Sequence, residues 1–170
     1  MADIALTLSD ANAHRLSSEE SIANGGATWR IRTTYEDFNG TNYTNTSDSD
    51  GDTITHTSIS TPADYLIPEV WAVVTTAFTE SSGSGTLTFD VGTATVDAFI
   101  DGADAETAGP YIGALGALPV DATAAGKDKG TTSVPIKIRM ITNTNKPSEI
   151  NAGVLDVYLR LIDCAMTPAV

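Results

Sequence analysis

The chain has 170 residues, with 22 Asp and Glu against 9 Lys and Arg, and its formal net charge is −13. A polypeptide this acidic is repelled by nucleic acid phosphates and by anionic lipid headgroups, so neither nucleic acid nor a membrane is expected as a partner. Cys164 is the only cysteine, which excludes an intrachain disulfide, and the length suits one domain held together by core packing.

The first 26 residues differ in kind from the rest of the chain. They are small and polar, with an alternating apolar set at Ile4, Leu6 and Leu8, and they end in a pair of glycines. The start has no basic residues and no continuous apolar stretch, so no secretory signal is predicted and synthesis in a cytoplasm is expected. We predict an N-terminal arm over residues 1–26, whose Ile4, Leu6 and Leu8 contact a neighbouring subunit, and a single domain over 27–170.

From residue 27 onwards, apolar and polar residues alternate with the period of β-strands, between clusters of Gly, Ser, Asn and Asp. The clearest case is TLTFDVG at 86–92, where three apolar side chains alternate with polar ones. IPEVWAVVTTAFT is apolar at both phases, as expected of a strand covered on both sides. The predicted strands are 27–35, 52–59, 67–79, 86–92, 133–142 and 153–164, with a weaker one at 111–120.

The sequence also predicts one short helix, after the strand at 86–92. Thr93 or Thr95 would cap it, Val96, Phe99 and Ile100 have helical spacing, and Gly102 follows its end. With this exception the pattern indicates an all-β, two-sheet sandwich. The Cys and Trp residues typical of antibody domains are missing, which favours a jelly roll over an immunoglobulin-like fold.

The loop FNGTNYTNTSDSDGDT at 38–53 contains three Asn-x-Thr/Ser triplets and three alternating aspartates. Without a secretory signal we expect no glycosylation, because these residue types also serve ordinary turns. The EF-hand pattern fails, since counting from Asp48 places Gly51 at loop position 4 and Ile59 at position 12. A solvated loop is the favoured interpretation and no metal site is predicted, although calcium bound by Asp48, Asp50 and Asp52 stays an alternative.

Residues suited to catalysis are few. His14 lies in the arm and His56 in a threonine-rich strand, so a Ser-His-Asp set could be assembled only by free choice among many serines and aspartates. Asp101 and Asp104 lie in a predicted loop, where paired carboxylates are usually solvated. No phosphate-binding or dinucleotide motif is present. We predict no catalytic residues, no cofactor and no enzymatic activity.

Aromatic residues make up 6% of the chain, which leaves few platforms for stacking sugars or bases. Trp29 and Trp71 are predicted to be core residues. The alternative is that aromatic residues near the opening loop line a carbohydrate groove; the set is Tyr35, Phe38, Tyr43, Tyr65 and Trp71.

The stretch YLIPEVWAVVTTAFTESSGSGTLTFDVGTATVDAFIDGADAETAG at 65–109 resembles small virion proteins of tailed bacteriophages. The closing AGVLDVYLRLIDC is similar to the final strand of those proteins. The resemblance implies a β-sandwich or jelly-roll subunit on the capsid exterior that decorates and stabilises the shell. It further implies the major capsid protein as partner and, often, a homotrimer.

A rival function follows from the candidate groove and the aspartates. It is a receptor-binding or carbohydrate-binding module of a phage tail or fibre, assisted by calcium at Asp48, Asp50 and Asp52. This module would bind glycans through exposed aromatic side chains, whereas a decoration protein would bind none.

Overall fold

The computed structural model describes residues 3–7, 13–41, 48–60, 65–83, 85–93, 97–113 and 135–163. Within these ranges the chain forms strands and one short α-helix, α1 (Ser18–Ala23). The strands are β1 (Asp3–Thr7), β2 (Ala13–Arg15), β3 (Trp29–Thr34), β4 (Thr53–Ser60), β5 (Tyr65–Glu80), β6 (Leu87–Gly92), β7 (Ile100–Asp104), β8 (Gly109–Ile112), β9 (Pro135–Thr142) and β10 (Ile150–Asp163).

The strands build two sheets, which we call sheet A and sheet B. The order is β1-β4-β9-β6-β7 in sheet A and β2-β3-β10-β5-β8 in sheet B. Strands β3 to β10 pair antiparallel throughout, and the chain changes sheet at every step except from β6 to β7. This order of two Greek keys is the jelly-roll arrangement. The predicted all-β, two-sheet jelly roll is therefore confirmed.

The residues predicted to form an arm add one strand to each sheet of the same chain. Strand β1 lies parallel to β4, with Asp3 opposite Thr53, and β2 pairs antiparallel with β3. The segment then crosses the outer face of sheet B, where Leu16 and Ala27 pack on Tyr158. Contact of the arm with a neighbouring subunit stays a prediction.

The core lies between the sheets and follows the alternation that the sequence shows. In β6 the buried apolar set is Leu87, Phe89 and Val91, and neighbouring strands contribute in the same way. The matching residues of β9 and β10 are Ile136, Ile138, Met140, Leu155, Val157 and Leu159, all fully buried. Burial of one such side chain stabilises the fold by about 1.5–3 kcal/mol, so the inward phase fixes the strand register.

The apolar character of β5 at both phases has a structural cause. Val70, Ala72 and Val74 face sheet A and are buried, while Trp71 and Val73 face outwards and pack against the cluster formed by Leu16, Ala27 and Tyr158. The crossing segment thus covers part of the outer face.

The helix predicted after β6 is wrong in the part that the structure describes. Ile100 begins strand β7, and the amide of Phe99 donates to the carbonyl of Val91, so the chain turns back along β6. The buried side chains of Phe99 and Ile100 belong to the sandwich core, whose sheet pairing overrides the helical spacing. Within the described ranges the α-helix lies instead at Ser18–Ala23, where Ser17 and Glu20 form a capping box.

His56 lies in the core rather than at an exposed site. It is 4% exposed, its ring stands edge-on to Phe38, and its Nε2 contacts the carbonyl oxygen of Asp37. Burial lowers the pKa of His56 below the ordinary 6.5, an effect partly opposed by the Asp37 carbonyl.

This burial makes stability depend on pH. Because the unfolded chain takes up a proton at His56 more readily than the folded chain, stability is full above pH 6.5 and falls as the pH drops below it. The slope is at most about 1.4 kcal/mol per pH unit. Urea unfolding between pH 7.5 and 5 should show this loss in the native protein and not in His56→Gln.

Candidate interaction surface

The outer face of sheet B, called the sheet B face below, carries one row of outward side chains across four adjacent strands. Strand register places Arg30 of β3 opposite Tyr158 of β10, Tyr158 opposite Trp71 of β5, and Trp71 opposite Ile112 of β8. Residues directly opposite each other in a sheet project from the same side. The row therefore runs from a cation through two aromatic rings to an aliphatic side chain.

The two aromatic residues form the centre of this row. The rings of Trp71 and Tyr158 are stacked, with centroids 5.7 Å apart and an interplanar angle of 14°. Leu16 and Ala27 cover Tyr158, which is 7% exposed. Burial, followed by the charge of Asp156, raises the pKa of the Tyr158 hydroxyl, so this residue is neutral at physiological pH.

A cleft of about 400 Å³ opens beside Trp71. It is lined by Gly25, Glu69, Val70, Trp71 and Ile112, and its wall is mainly apolar. Gly25 lies beside the indole, where a Cβ would make an ordinary van der Waals contact with Cζ2 of Trp71 at 3.7 Å. Ile112 is 79% exposed, which is an unusual environment for a large aliphatic side chain next to an apolar cavity.

Positive charge flanks the aromatic pair. Arg32 binds Asp156 through two parallel hydrogen bonds, Nε to Oδ1 at 2.8 Å and Nη2 to Oδ2 at 2.7 Å. Nε of Arg30 lies 4.0 Å from Oδ1 of the same carboxylate. Two guanidinium groups therefore share one buried carboxylate, and the cluster has an excess positive charge.

No protein-family model, curated protein or solved structure matches the chain in comparisons with each.

One end of the sandwich, called the acidic end below, carries an excess of negative charge. Here the connections β3–β4, β5–β6, β7–β8 and β9–β10 meet, because all four join the same ends of the paired strands. Among the described residues of this end Lys146 is the one base, against nine carboxyl residues. The nine are Glu36, Asp37, Asp48, Asp50, Asp52, Glu80, Asp104, Glu106 and Glu149.

The three aspartates of the opening loop do not converge on a common point. Asp48 accepts hydrogen bonds from the amide and hydroxyl of Ser148, at 3.1 and 2.6 Å. Asp52 is buried and accepts from the amide of Ser49 at 2.9 Å, whereas Asp50 is exposed. Over the ranges that the structure describes, no group of three or more His, Cys, Asp or Glu side chains could hold a metal ion.

The other polar candidates are also apart. His14 lies on β2 with Nε2 3.5 Å from Glu20, while His56 is in the core. Asp101 is exposed on β7, and Asp104 accepts from the amide of Glu106 at 2.8 Å. No helix in the described part of the chain is long and apolar enough to cross a membrane.

The structure divides the aromatic residues rather than collecting them into a groove. Phe38 is fully buried, and Trp29 and Tyr35 pack against the core. Trp71 lies on the sheet B face. Tyr43 and the side chain of Tyr65 lie outside the described residues. The described members of this set therefore do not form one groove. Trp71 lies in the cluster on the sheet B face and not in the core between the sheets.

The predicted partner-binding residues are only partly described. Ile4 and Leu6 lie in β1, opposite Ile54 and His56, and Leu8 lies outside the described residues. Their contact with another subunit stays a prediction. Arg30, Tyr158 and Ile112 were missed, although a large aromatic at an outward position of β10 was a signal that this face is covered or bound.

At the acidic end, burial of the Glu80 carboxylate is expected to lower the free energy of unfolding at neutral pH. Both of its carboxylate oxygens are buried. Burial, followed by the negative charges of Glu106 and Glu149, raises the pKa of Glu80, and the Gly85 amide partly opposes this.

We therefore expect Glu80→Gln to increase the free energy of unfolding by about 1 kcal/mol at pH 7. Since the folded chain binds this proton more tightly than the unfolded chain, the advantage of the variant should shrink as the pH falls to about 4.5. Urea unfolding at pH 7 and pH 4.5 measures both values. Asp50→Asn, an exposed change of the same kind, should alter stability by less than about 0.5 kcal/mol; an equal gain there would point to net charge as the cause.

Proposed function

We propose that this chain is a non-enzymatic virion protein of a tailed bacteriophage, which binds the outer surface of the major capsid protein shell and stabilises it. It acts as a homotrimer in which Ile4, Leu6 and Leu8 contact a neighbouring subunit. The resemblance of residues 65–109 and of the closing strand to small virion proteins supports this proposal. The jelly-roll fold is compatible with it, as with many other functions.

The observation that carries the proposal is the contrast between the sheet B face and the acidic end. This face combines an exposed aliphatic residue, a half-buried tryptophan and an apolar cleft, as protein interfaces do. The exposed carboxylates of the acidic end, on Asp48, Asp50, Asp104 and Glu106, suit a surface that stays in solvent, because like charges there keep assembled particles from aggregating.

Purified phage particles whose genome encodes the chain provide the test. Quantitative mass spectrometry should find the chain in fixed stoichiometry with the major capsid protein. Particles that lack it should bind the purified chain in a saturable manner and rupture at a higher temperature once it is bound. Absence from the particle, or unchanged rupture temperature at full occupancy, would rule out a stabilising decoration function.

The tail or fibre module makes different predictions for the same purified chain. Titration with calcium and screening against a glycan panel should give no specific binding if the chain is a decoration protein. Saturable glycan binding that Trp71→Ala abolishes would support the carbohydrate-binding module instead.

The proposed homotrimer has its own test. Light scattering of the purified chain should give three times the mass of one chain, and a smaller mass when Ile4, Leu6 and Leu8 are replaced by serine.

A further inference from the structure

We propose that the dipeptide Asn24-Gly25 is a site of spontaneous deamidation, which removes the side-chain amide of Asn24 and loosens the segment that covers the sheet B face. The dipeptide lies in the turn after α1, just before Ala27. The reaction is intramolecular and consumes water, so it needs neither a cofactor nor a partner. It goes beyond the proposed function and does not depend on it.

The chain contains four dipeptides in which Asn or Asp precedes Gly. This order favours attack of the glycine nitrogen on the preceding side chain, because glycine has no Cβ to hinder it. Reaction requires a free amide on the glycine and a side-chain carbonyl carbon that is free to approach it. The structure describes all four dipeptides, which are Asn24-Gly25, Asn39-Gly40, Asp50-Gly51 and Asp101-Gly102.

In both Asp-Gly dipeptides a hydrogen bond occupies the glycine amide. The Gly51 amide donates to the carbonyl of Asn145 at 3.1 Å. The Gly102 amide donates to Oδ1 of Asp90 at 2.6 Å. Each bond must open before the nitrogen is able to lose its proton and attack, so both dipeptides are protected in the folded chain.

The dipeptide Asn39-Gly40 is protected at its side chain instead. Nδ2 of Asn39 donates to the carbonyl of Ile150 at 3.0 Å, and its Oδ1 accepts from the amide of Thr41 at 3.0 Å. The neighbouring Phe38 is fully buried. Both polar atoms of the Asn39 carboxamide are therefore fixed, and its Cγ reaches the Gly40 nitrogen only after both bonds open.

The dipeptide Asn24-Gly25 has neither kind of protection. Among the described residues the Gly25 amide makes no hydrogen bond, and the Asn24 side chain makes one exposed bond, from Nδ2 to the carbonyl of Glu20 at 2.8 Å. Asn24 ends the six-residue helix α1 with φ of −110° and ψ of 43°, which is not helical, and Gly25 is exposed. The end of so short a helix opens readily. The Asn24 side chain thus has one exposed bond to break before Cγ approaches the nitrogen.

The reaction at this dipeptide has two steps. The Gly25 nitrogen gives its proton to hydroxide and bonds to Cγ of Asn24, while Nδ2 takes a proton from water and leaves as ammonia. The product is a cyclic succinimide, which water opens at either carbonyl. Opening at Cγ gives aspartate, and opening at the backbone carbonyl gives isoaspartate, in which the main chain runs through Cγ. One water is consumed and one ammonia is released, with no oxidation or reduction.

Both products disturb the turn after α1. A carboxylate at this position has no proton to donate to the Glu20 carbonyl. Its charge also lies at the C-terminal end of the helix, where negative charge is unfavourable. Isoaspartate further adds a methylene to the main chain, which disrupts the bond from the Gly26 amide to the Ser21 carbonyl, at 2.7 Å in the native turn.

This turn holds part of the cover of the sheet B face in place. The Ala27 amide donates to the carbonyl of Asn24 at 3.2 Å, and Ala27 is fully buried. Together with Leu16 it packs on Tyr158. Deamidation at Asn24 is therefore expected to make residues 16–28 open more often.

The experiment incubates the purified full chain in mildly alkaline buffer, folded in one sample and unfolded by urea in another. Peptide mapping by mass spectrometry distinguishes asparagine, aspartate and isoaspartate at each site. Asn24→Gln is the matched control, because glutamine would have to close a larger ring and reacts far more slowly. Hydrogen exchange of residues 16–28 is measured on the folded samples, since the Leu16 amide donates to the Thr28 carbonyl and the Thr28 amide to the Leu159 carbonyl.

In the folded chain we expect Asn24 to lose its amide at least about tenfold faster than Asn39, at a rate that rises with pH. In urea the two asparagines should react at rates within about twofold of each other, because both precede glycine and neither is held. Hydrogen exchange over residues 16–28 should be faster in the reacted chain than in fresh protein. Asn24→Gln, incubated alongside, should keep slow exchange. Asn24→Asp, which adds the charge without the methylene, should show a smaller increase.

Equal rates at Asn24 and Asn39 in the folded chain would overturn the inference. So would a folded chain in which Asn24 stays intact while both sites react in urea. Loss of the Asn24 amide without faster exchange of residues 16–28 would contradict the loosening of the cover. Each of these results is obtained without phage particles, so failure of this inference and failure of the proposed function are distinguishable.

Discussion

Replacing Gly153 with alanine is expected to lower the free energy of unfolding by about 3 kcal/mol or more. Gly153 lies in β10 with φ of 136°, a conformation that an L-residue adopts only under strain. An added Cβ would lie 2.7 Å from Cε1 of Phe78 and closer still to Cγ and Cδ1 of the same ring. Phe78 is fully buried in the core, so the ring cannot move aside without disturbing its neighbours.

Gly83 provides a control for alanine at a positive-φ glycine that has open space around it. It has φ of 64° and no atom within 4 Å of an added Cβ. Gly83→Ala should therefore show the cost of the left-handed conformation alone, about 1 kcal/mol. Urea unfolding of the two variants measures the difference. Equal losses of stability in the two variants would mean that the Phe78 ring moves aside for the methyl group. That result would contradict close packing of the core at this point.

This glycine illustrates what sequence reasoning could reach in the fold. The strand around Gly153 was predictable, because Leu155, Val157, Leu159 and Leu161 alternate over a length that fits one strand. The close approach of the Phe78 ring was not, because it depends on which strand lies next to β10. The pairing of β10 with both β3 and β5 is a long-range choice that periodicity does not encode.

The helix predicted after β6 failed, in its described part, for a related reason. Phe99 and Ile100 have spacing that suits a helix and also suits a turn followed by a strand. The core between the sheets decided the outcome, because both side chains are buried there. The α-helix at Ser18–Ala23 has a local signal in the capping box of Ser17 and Glu20, but its segment has too few apolar residues for a helical period.

Even less of the candidate interaction surface could be predicted from the sequence. Arg30, Tyr158, Trp71 and Ile112 come from four segments of the chain, and strand order alone makes them neighbours. Burial habits of aromatic residues favour a core position for Trp71. The outward phase of β5 argued otherwise, since Val70 and Ala72 already occupied its inward positions.

The largest electrostatic effect is expected for Arg139→Met. Asp90 is fully buried on β6, where its Oδ2 accepts from Nε of Arg139 at 2.6 Å and its Oδ1 accepts from the Gly102 amide at 2.6 Å. Without the guanidinium, the buried Asp90 carboxylate loses the hydrogen bond from Arg139 and keeps the one from the Gly102 amide. Loss of one member of a buried ion pair typically costs about 3–5 kcal/mol. Because Arg139 is itself 26% exposed, water can partly replace it, and we expect about 3 kcal/mol.

A double substitution separates the buried charge from the loss of packing. In Asp90→Asn with Arg139→Met the charge is gone while an amide oxygen still accepts from Gly102, so the double variant should be more stable than Arg139→Met alone. Arg160→Met is the matched surface control, since Arg160 and Glu69 are both partly exposed and 3.4 Å apart; its loss should stay below about 1 kcal/mol. Denaturant unfolding of the four proteins decides the matter. A double variant less stable than the other three proteins would contradict this prediction. It would mean that packing of the aliphatic part of Arg139, and not its charge, stabilises the contact between β9 and β6. The turn at Gly102 would then be what keeps Asp90 buried.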